Sequence, residues 1–220
     1  MAIKERIEGI RANLRKGVEL VAVSKTNPVE AIAEAYACGE RHFGESRPQE
    51  LRAKWELLPK DIEWHMIGHL QSNKIKMILP FVAIIESLNS ARLARAINKE
   101  AAKLGIVVDC LLEIDISGEE SKSGWEFSSL LTDIESGLFD ELQNIRLRGV
   151  MGIASNTNNE DVVRADFNRL KGYHTQLKDR FGESFDRVSM GMSHDYLLAQ
   201  ECGSTSVRVG SAIFGDRYYG

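Results

Sequence analysis

Short apolar runs alternate with amphipathic stretches from one end of the chain to the other. Ile3, Ile7, Ile10 and Leu14 recur at the spacing of one helix face, so the chain opens with a helix. Leu20 to Ser24 reads as a buried strand. Asn27, Pro28 and Glu30 then supply an N-cap, a proline at the first helical position and a capping-box acid, and Gly39 ends the helix they start.

This unit of strand, loop and helix repeats. Arg41 to Gly44 is a strand, Ser46 and Gln49 cap the next helix, Trp64 to Ile67 is a strand, and Gln71 to Leu79 is a helix stopped by Pro80. Phe81 to Ile85 is apolar again. Ser90 caps a helix carrying Leu93, Ile97, Ala101 and Leu104, with Gly105 just past its end. Val107 to Ile114 is a strand, Ser123 and Glu126 form a capping box, and Ile145 to Met151 is a strand. Val163, Phe167, Leu170 and Leu177 mark one face of a long helix, and weaker strand signals surround Phe185 to Ser189 and Ser206 to Gly210. About eight strands separated by helices predict an all-parallel α/β sheet, because parallel neighbours require crossover connections. No Gly-x-Gly-x-x-Gly follows the first strand, which favours a closed (β/α)8 TIM barrel with an extra N-terminal helix over an open dinucleotide-binding sheet. With no linker or compositional break, residues 1–220 read as one unit.

Composition narrows the function classes. A length of 220 residues suits one barrel, and a net charge of -4 leaves no cationic surplus for a phosphate backbone, so nucleic acid is not an expected partner. No apolar run is long enough to cross a bilayer and the first residues are charged rather than signal-like, so a cytoplasmic protein without membrane contact is expected. Cys38, Cys110 and Cys202 are far apart, odd in number and lack metal-like spacing, which predicts buried free thiols. His65 and His69 would come together as ligands of one metal ion only on a helix, and Gly68 turns the chain between them, so no metal site is expected from this pair.

In a parallel barrel the chemistry gathers where strands end at the C-terminal face. Lys25 ends the first strand in the parity of Val21 and Val23, so its amine points inward if they do. Among branched aliphatics a lysine tends to lose its proton, and the neutral amine is the form that attacks an aldehyde; the plain alternative is a solvated lysine at a strand end. Ser189 to Asp195 and Val207 to Gly215 each place glycine and serine between a strand and a possible helix start, where backbone N–H groups attract phosphate. Tight turns, with Ser193 an ordinary N-cap, are the alternative reading. Arg208 is inward by parity, and the two loops together favour a phosphate.

Seven ordered motifs resemble the pyridoxal 5'-phosphate (PLP) homeostasis proteins, relatives of the alanine racemase barrel. They are residues 21–26 (Val-Ala-Val-Ser-Lys-Thr), 43–45 (Phe-Gly-Glu), 64–74 (Trp-His-Met-Ile-Gly-His-Leu-Gln-Ser-Asn-Lys), 117–124 (Ser-Gly-Glu-Glu-Ser-Lys-Ser-Gly), 149–151 (Gly-Val-Met), 189–195 (Ser-Met-Gly-Met-Ser-His-Asp) and 208–215 (Arg-Val-Gly-Ser-Ala-Ile-Phe-Gly). The resemblance implies a fold-type III PLP barrel without a C-terminal β domain, with PLP held covalently as a Schiff base on Lys25. It implies that Ser193, Gly210 and Ser211 hold the phosphate, that Arg208 faces the pyridine nitrogen, and that Met190 lines the pocket. Ser46 and Asp115 stand where the family usually has Asn, which puts a polar contact of Ser46 to the cofactor in question. Lys74 and Lys76 are candidates for drawing in the anionic cofactor, and Lys122 for passing it on; solvated surface lysines are the plain reading of the first two.

The implied function is intracellular PLP homeostasis, by storing, delivering or buffering the cofactor without turnover, with PLP-dependent apo-enzymes as partners and a monomer as the working form. No residue is then catalytic. A racemase-like enzyme is the competing reading; it needs a second domain for which a chain ending at Tyr219 and Gly220 leaves no room, so His194 and Tyr196 would be its remaining proton donors. A Schiff-base aldolase working without PLP uses the same lysine, and only the PLP proteins would be yellow.

Overall fold

Eight parallel strands hydrogen-bond in chain order and the last pairs with the first, closing a barrel. The structure, a computed structural model, describes residues 2–119 and 123–215, so Lys122 and the last five residues lie outside the description. The strands are β1 (Glu19–Val23), β2 (His42–Glu45), β3 (Glu63–Met66), β4 (Val82–Leu88), β5 (Val108–Glu113), β6 (Ile145–Met151), β7 (Arg187–Ser189) and β8 (Ser206–Val209). The helices are α1 (Ile3–Asn13), α2 (Val29–Ala37), α3 (Pro48–Leu57), α4 (Ile75–Ile78), α5 (Ala91–Leu104), α6 (Phe127–Glu135), α7 (Glu160–Phe181), α8 (Tyr196–Glu201) and α9 (Ser211–Phe214). The strand-and-helix alternation of the sequence is therefore a closed (β/α)8 barrel preceded by α1.

Strand residues alternate between two environments, as the pleat requires. In β1, Leu20 and Ala22 join the large core between sheet and helices, together with Phe43, Trp64, Leu51, Ile97 and Phe167. Val21 and Val23 take the other parity, toward the barrel axis. Along that axis Ile84, Leu111 and Met151 make a small apolar cluster with Ile153 packed against it. The other buried inward positions include the polar residues His65, Glu86, Glu113, Ser189, Ser206 and Arg208.

Several local details differ from the expected caps. Ser90 accepts from the Leu93 N–H and Gly105 ends α5 in the left-handed conformation, both as expected. Elsewhere Pro28 and Arg47 occupy the N-cap positions of α2 and α3 without side-chain caps, and the Asn27 amide instead donates to the Lys25 carbonyl (3.2 Å). Glu126 itself caps α6, accepting from the Ser128 and Ser129 N–H groups, while Ser123 turns to Glu113. The expected helix from Gln71 to Leu79 is a 3-10 turn, Ser72–Lys74, running into a single turn of α4. All three cysteines are free thiols; Cys110 and Cys202 are buried and Cys38 only partly so. Among the described residues no helix is long and apolar enough to cross a membrane.

Candidate functional site

Lys25 follows the end of β1, and the residues around it fix how it is presented. Ser24 faces away from the axis, where its hydroxyl donates to Glu45 Oε1 (2.6 Å) and its carbonyl accepts from Lys54 Nζ (2.8 Å). Lys54 also donates to Glu45 Oε1 (2.7 Å) and Glu50 Oε1 (2.6 Å). Burial pushes the Glu45 carboxyl up, opposed by the charge and hydrogen bond of Lys54 and by the Ser24 hydroxyl. Thr26 takes a φ of 66°, a left-handed conformation that is costly for a β-branched residue. Its N–H donates to Glu50 Oε1 (2.6 Å), so the carboxylate that grips Lys54 also holds the strained turn beside Lys25.

The far wall is built by the loops after β7 and β8. Asp195, rather than Ser193, holds the N-cap position of α8, and its carboxylate braces the loop by accepting from the Met192 N–H (2.6 Å). The Ser193 hydroxyl instead accepts from the Gly210 N–H (3.2 Å) and the Ala212 N–H (3.3 Å), joining the two loops. Gly210 lies so close to the end of β1 that a Cβ there would stand 3.2 Å from the Val23 carbonyl oxygen. On the other side Gly68 presses the loop after β3 onto Ser46, whose carbonyl oxygen would be 2.5 Å from a Cβ at position 68.

The floor of the cavity is charged. Arg208 is buried, donating to Ser189 Oγ (2.6 Å) and to the Gly152 carbonyl (3.0 Å), with Glu86 Oε2 3.8 Å away. Burial lowers the guanidinium, opposed by the charges of Glu86, Asp195 and Glu113, and an arginine stays protonated through such a shift. Glu86 is buried too. Burial alone would raise its carboxyl, but the hydrogen bond with His65, the charge of Arg208 and the Ser189 hydroxyl hold it below its ordinary value. Glu113 goes the other way: burial raises it, with the Ser123 hydroxyl and the charge of Arg208 only partly opposing.

A cavity of about 240 Å³ opens between these walls. Lys25, Ser46, Ser193, Arg208, Gly210 and Ser211 line it with His194, and Val23, Ile67, Ile153 and Met192 supply its apolar surface. Met190 does not line it. Its neighbour Ser189 takes the inward position, so Met190 faces the opposite way into the core between sheet and helices, and Met192 borders the cavity instead. Tyr196 packs against that same core. Asp115 organises its own loop by accepting from the Ser117 and Gly118 N–H groups. Lys122 lies outside the described residues.

Glu86 and Glu113 carry no motif in the sequence, and there His65 stands only as half of a rejected metal pair and Ser189 only as the start of a glycine-serine loop. The signal for all four is a charged or polar residue at inward parity in an otherwise apolar strand.

The family model for the alanine racemase N-terminal domain matches residues 1–218. A pyridoxal phosphate homeostasis protein of Aquifex aeolicus is 40% identical over 99% of this chain and 96% of its own length. One of Schizosaccharomyces pombe is 41% identical over 92% of this chain and 85% of its own length. Among solved structures, PipY of Synechococcus elongatus with PLP bound matches with a TM-score of 0.89 and 35% identity, covering 97% of this chain and all of that one. Alanine racemase of Clostridium difficile, 16% identical with a TM-score of 0.78, covers 99% of this chain and 56% of its own, and shares the fold.

Proposed function

The chain belongs to the pyridoxal phosphate homeostasis proteins, built on the alanine racemase N-terminal barrel, and we propose that it holds PLP in the mouth cavity as a cytoplasmic, monomeric carrier. The observation that carries this reading is convergence. One amine, one guanidinium and two loops of backbone N–H groups gathered on a hydroxyl share a single small cavity.

When bound, the cofactor supplies an aldehyde that a primary amine captures. Lys25 is the amine for covalent attachment, presented by a turn that Glu50 and Lys54 hold in place. Ser193, Gly210 and Ser211 are the groups for the phosphate: the Gly210 and Ala212 N–H groups already converge on one oxygen, and Gly210 has no side chain to block them. Arg208 is the group for the ring nitrogen. A guanidinium donates but cannot accept, so it leaves the ring unprotonated and a weak electron sink, which suits storage and delivery better than turnover.

The test is to load the full chain with PLP, reduce with borohydride and locate the modified peptide by mass spectrometry. The adduct is expected on Lys25 and absent from Lys25→Ala; an adduct chiefly on another lysine would overturn the assignment. Loaded protein mixed with a PLP-dependent apo-enzyme should restore that enzyme's activity. Racemisation and transamination of common amino acids should be negligible, and turnover that vanishes in Lys25→Ala would replace the carrier reading with a racemase-like one. Light scattering should return the mass of one chain.

A further inference from the structure

The opposite end of the barrel carries a second cluster. Glu19 at the start of β1, His42 at the start of β2 and His65 on β3 each offer a ligand atom, and the three atoms lie within 4.8 Å of one another. We propose that Glu19, His42 and His65 form a binding site for one divalent first-row transition ion at the floor of the barrel.

The geometry is that of ligands rather than of a hydrogen-bonded cluster. His42 Nε2 stands 3.6 Å from Glu19 Oε2, too far for a hydrogen bond. It is close to the separation of about 3.4 Å that two atoms take when each sits about 2.1 Å from one tetrahedral ion. His65 Nδ1 is engaged with Glu86 Oε1 at 2.6 Å, and both side chains are about 1% exposed. A carboxylate on one ring nitrogen fixes the tautomer that leaves Nε2 as a lone-pair donor, the arrangement found behind metal-bound histidines. Glu19 is held similarly: Oε1 accepts from Arg187 at 3.0 Å, leaving Oε2 to face His42.

Solvent reaches the cluster. Glu19 and His42 side chains are 22% and 25% exposed, and a hollow of about 510 Å³ lined by both opens beside them. Three protein ligands with a water-accessible side match an open coordination position. Two imidazoles and one carboxylate select zinc, cobalt or nickel over magnesium or calcium, which prefer oxygen-only shells. Sequence spacing could not reveal this site. Its ligands are more than twenty residues apart and meet only because β1, β2 and β3 are neighbours in the barrel.

The test is titration of chelator-treated full-length protein with Co2+, followed by visible absorption and then by displacement with Zn2+. One cobalt per chain is expected, with ligand-field bands and without a thiolate charge-transfer band. His42→Ala and Glu19→Gln should each weaken binding about tenfold or more, while His69→Ala and Cys38→Ser bind as the parent does. No stoichiometric binding, a thiolate band, or affinity unchanged in His42→Ala would each overturn the site. The parent spectrum and stoichiometry decide the question even where a variant fails to fold.

Discussion

Lys54 shows how one buried side chain sets the presentation of another. It is 5% exposed and grips the Ser24 carbonyl, Glu45 and Glu50 at once. Removing one member of a buried ion pair leaves its partner desolvated and uncompensated, which costs about 3–5 kcal/mol. Lys54→Met should lower stability by that amount in urea unfolding, and adding Glu45→Gln should recover part of the loss. His174 supplies a pH dependence. Burial, reinforced by the charge of Lys171, lowers its imidazole from 6.5 to about 4. The neutral ring donates from Nε2 to the Phe185 carbonyl, while Nδ1 is buried without a partner for a second proton. Because the folded pKa is depressed, its contribution to stability is full above pH 6.5 and is lost as pH falls toward 4. His174→Gln keeps a donor without titrating, so its unfolding free energy should fall less than the parent's between pH 7 and pH 4.5.

Among the elements, β6 is shaped by a bulge. Cys110 faces Leu147 and Leu111 faces Gly149, so Arg148 is the extra residue. Gly149 has a φ of 152°, and a Cβ there would lie 1.8 Å from the Arg187 carbonyl oxygen of β7. Gly149→Ala should cost about 3 kcal/mol or more, whereas Gly172→Ala, in open space within α7, should gain about 1 kcal/mol. Guanidinium unfolding of the two variants checks both signs. The contrast shows what the sequence makes legible. Long helices and the apolar strands declare themselves by periodicity, as α5 and β5 do. The short β7 and β8 give weak signals because their inward residues, Ser189 and Arg208, are polar for the sake of the cavity. Asn27 reads correctly as a polar residue ahead of Pro28 but not by role, because its amide donates back to the Lys25 carbonyl and a local turn, rather than the helix end, decides where its side chain goes.

For the molecule as a whole, the sequence motifs located Lys25, Ser193, Arg208, Gly210 and Ser211, which the fold brings to one cavity. The buried polar line from His65 through Glu86 and Ser189 to Arg208 emerges only from barrel closure, since each member sits on a different strand. A ligand that binds only the folded barrel stabilises all of it. PLP at a hundredfold excess over its dissociation constant should therefore add about 2.7 kcal/mol, raising the melting temperature of the parent but far less that of Lys25→Ala. The pairing of β1 with β8 joins residues nearly two hundred positions apart, and the loop carrying Gly210 and Ser211 follows directly. A chain leaving the ribosome thus carries the lysine long before the strand that must pair beside it, so under the proposed function the first appearance of yellow colour should time the sealing of the ring.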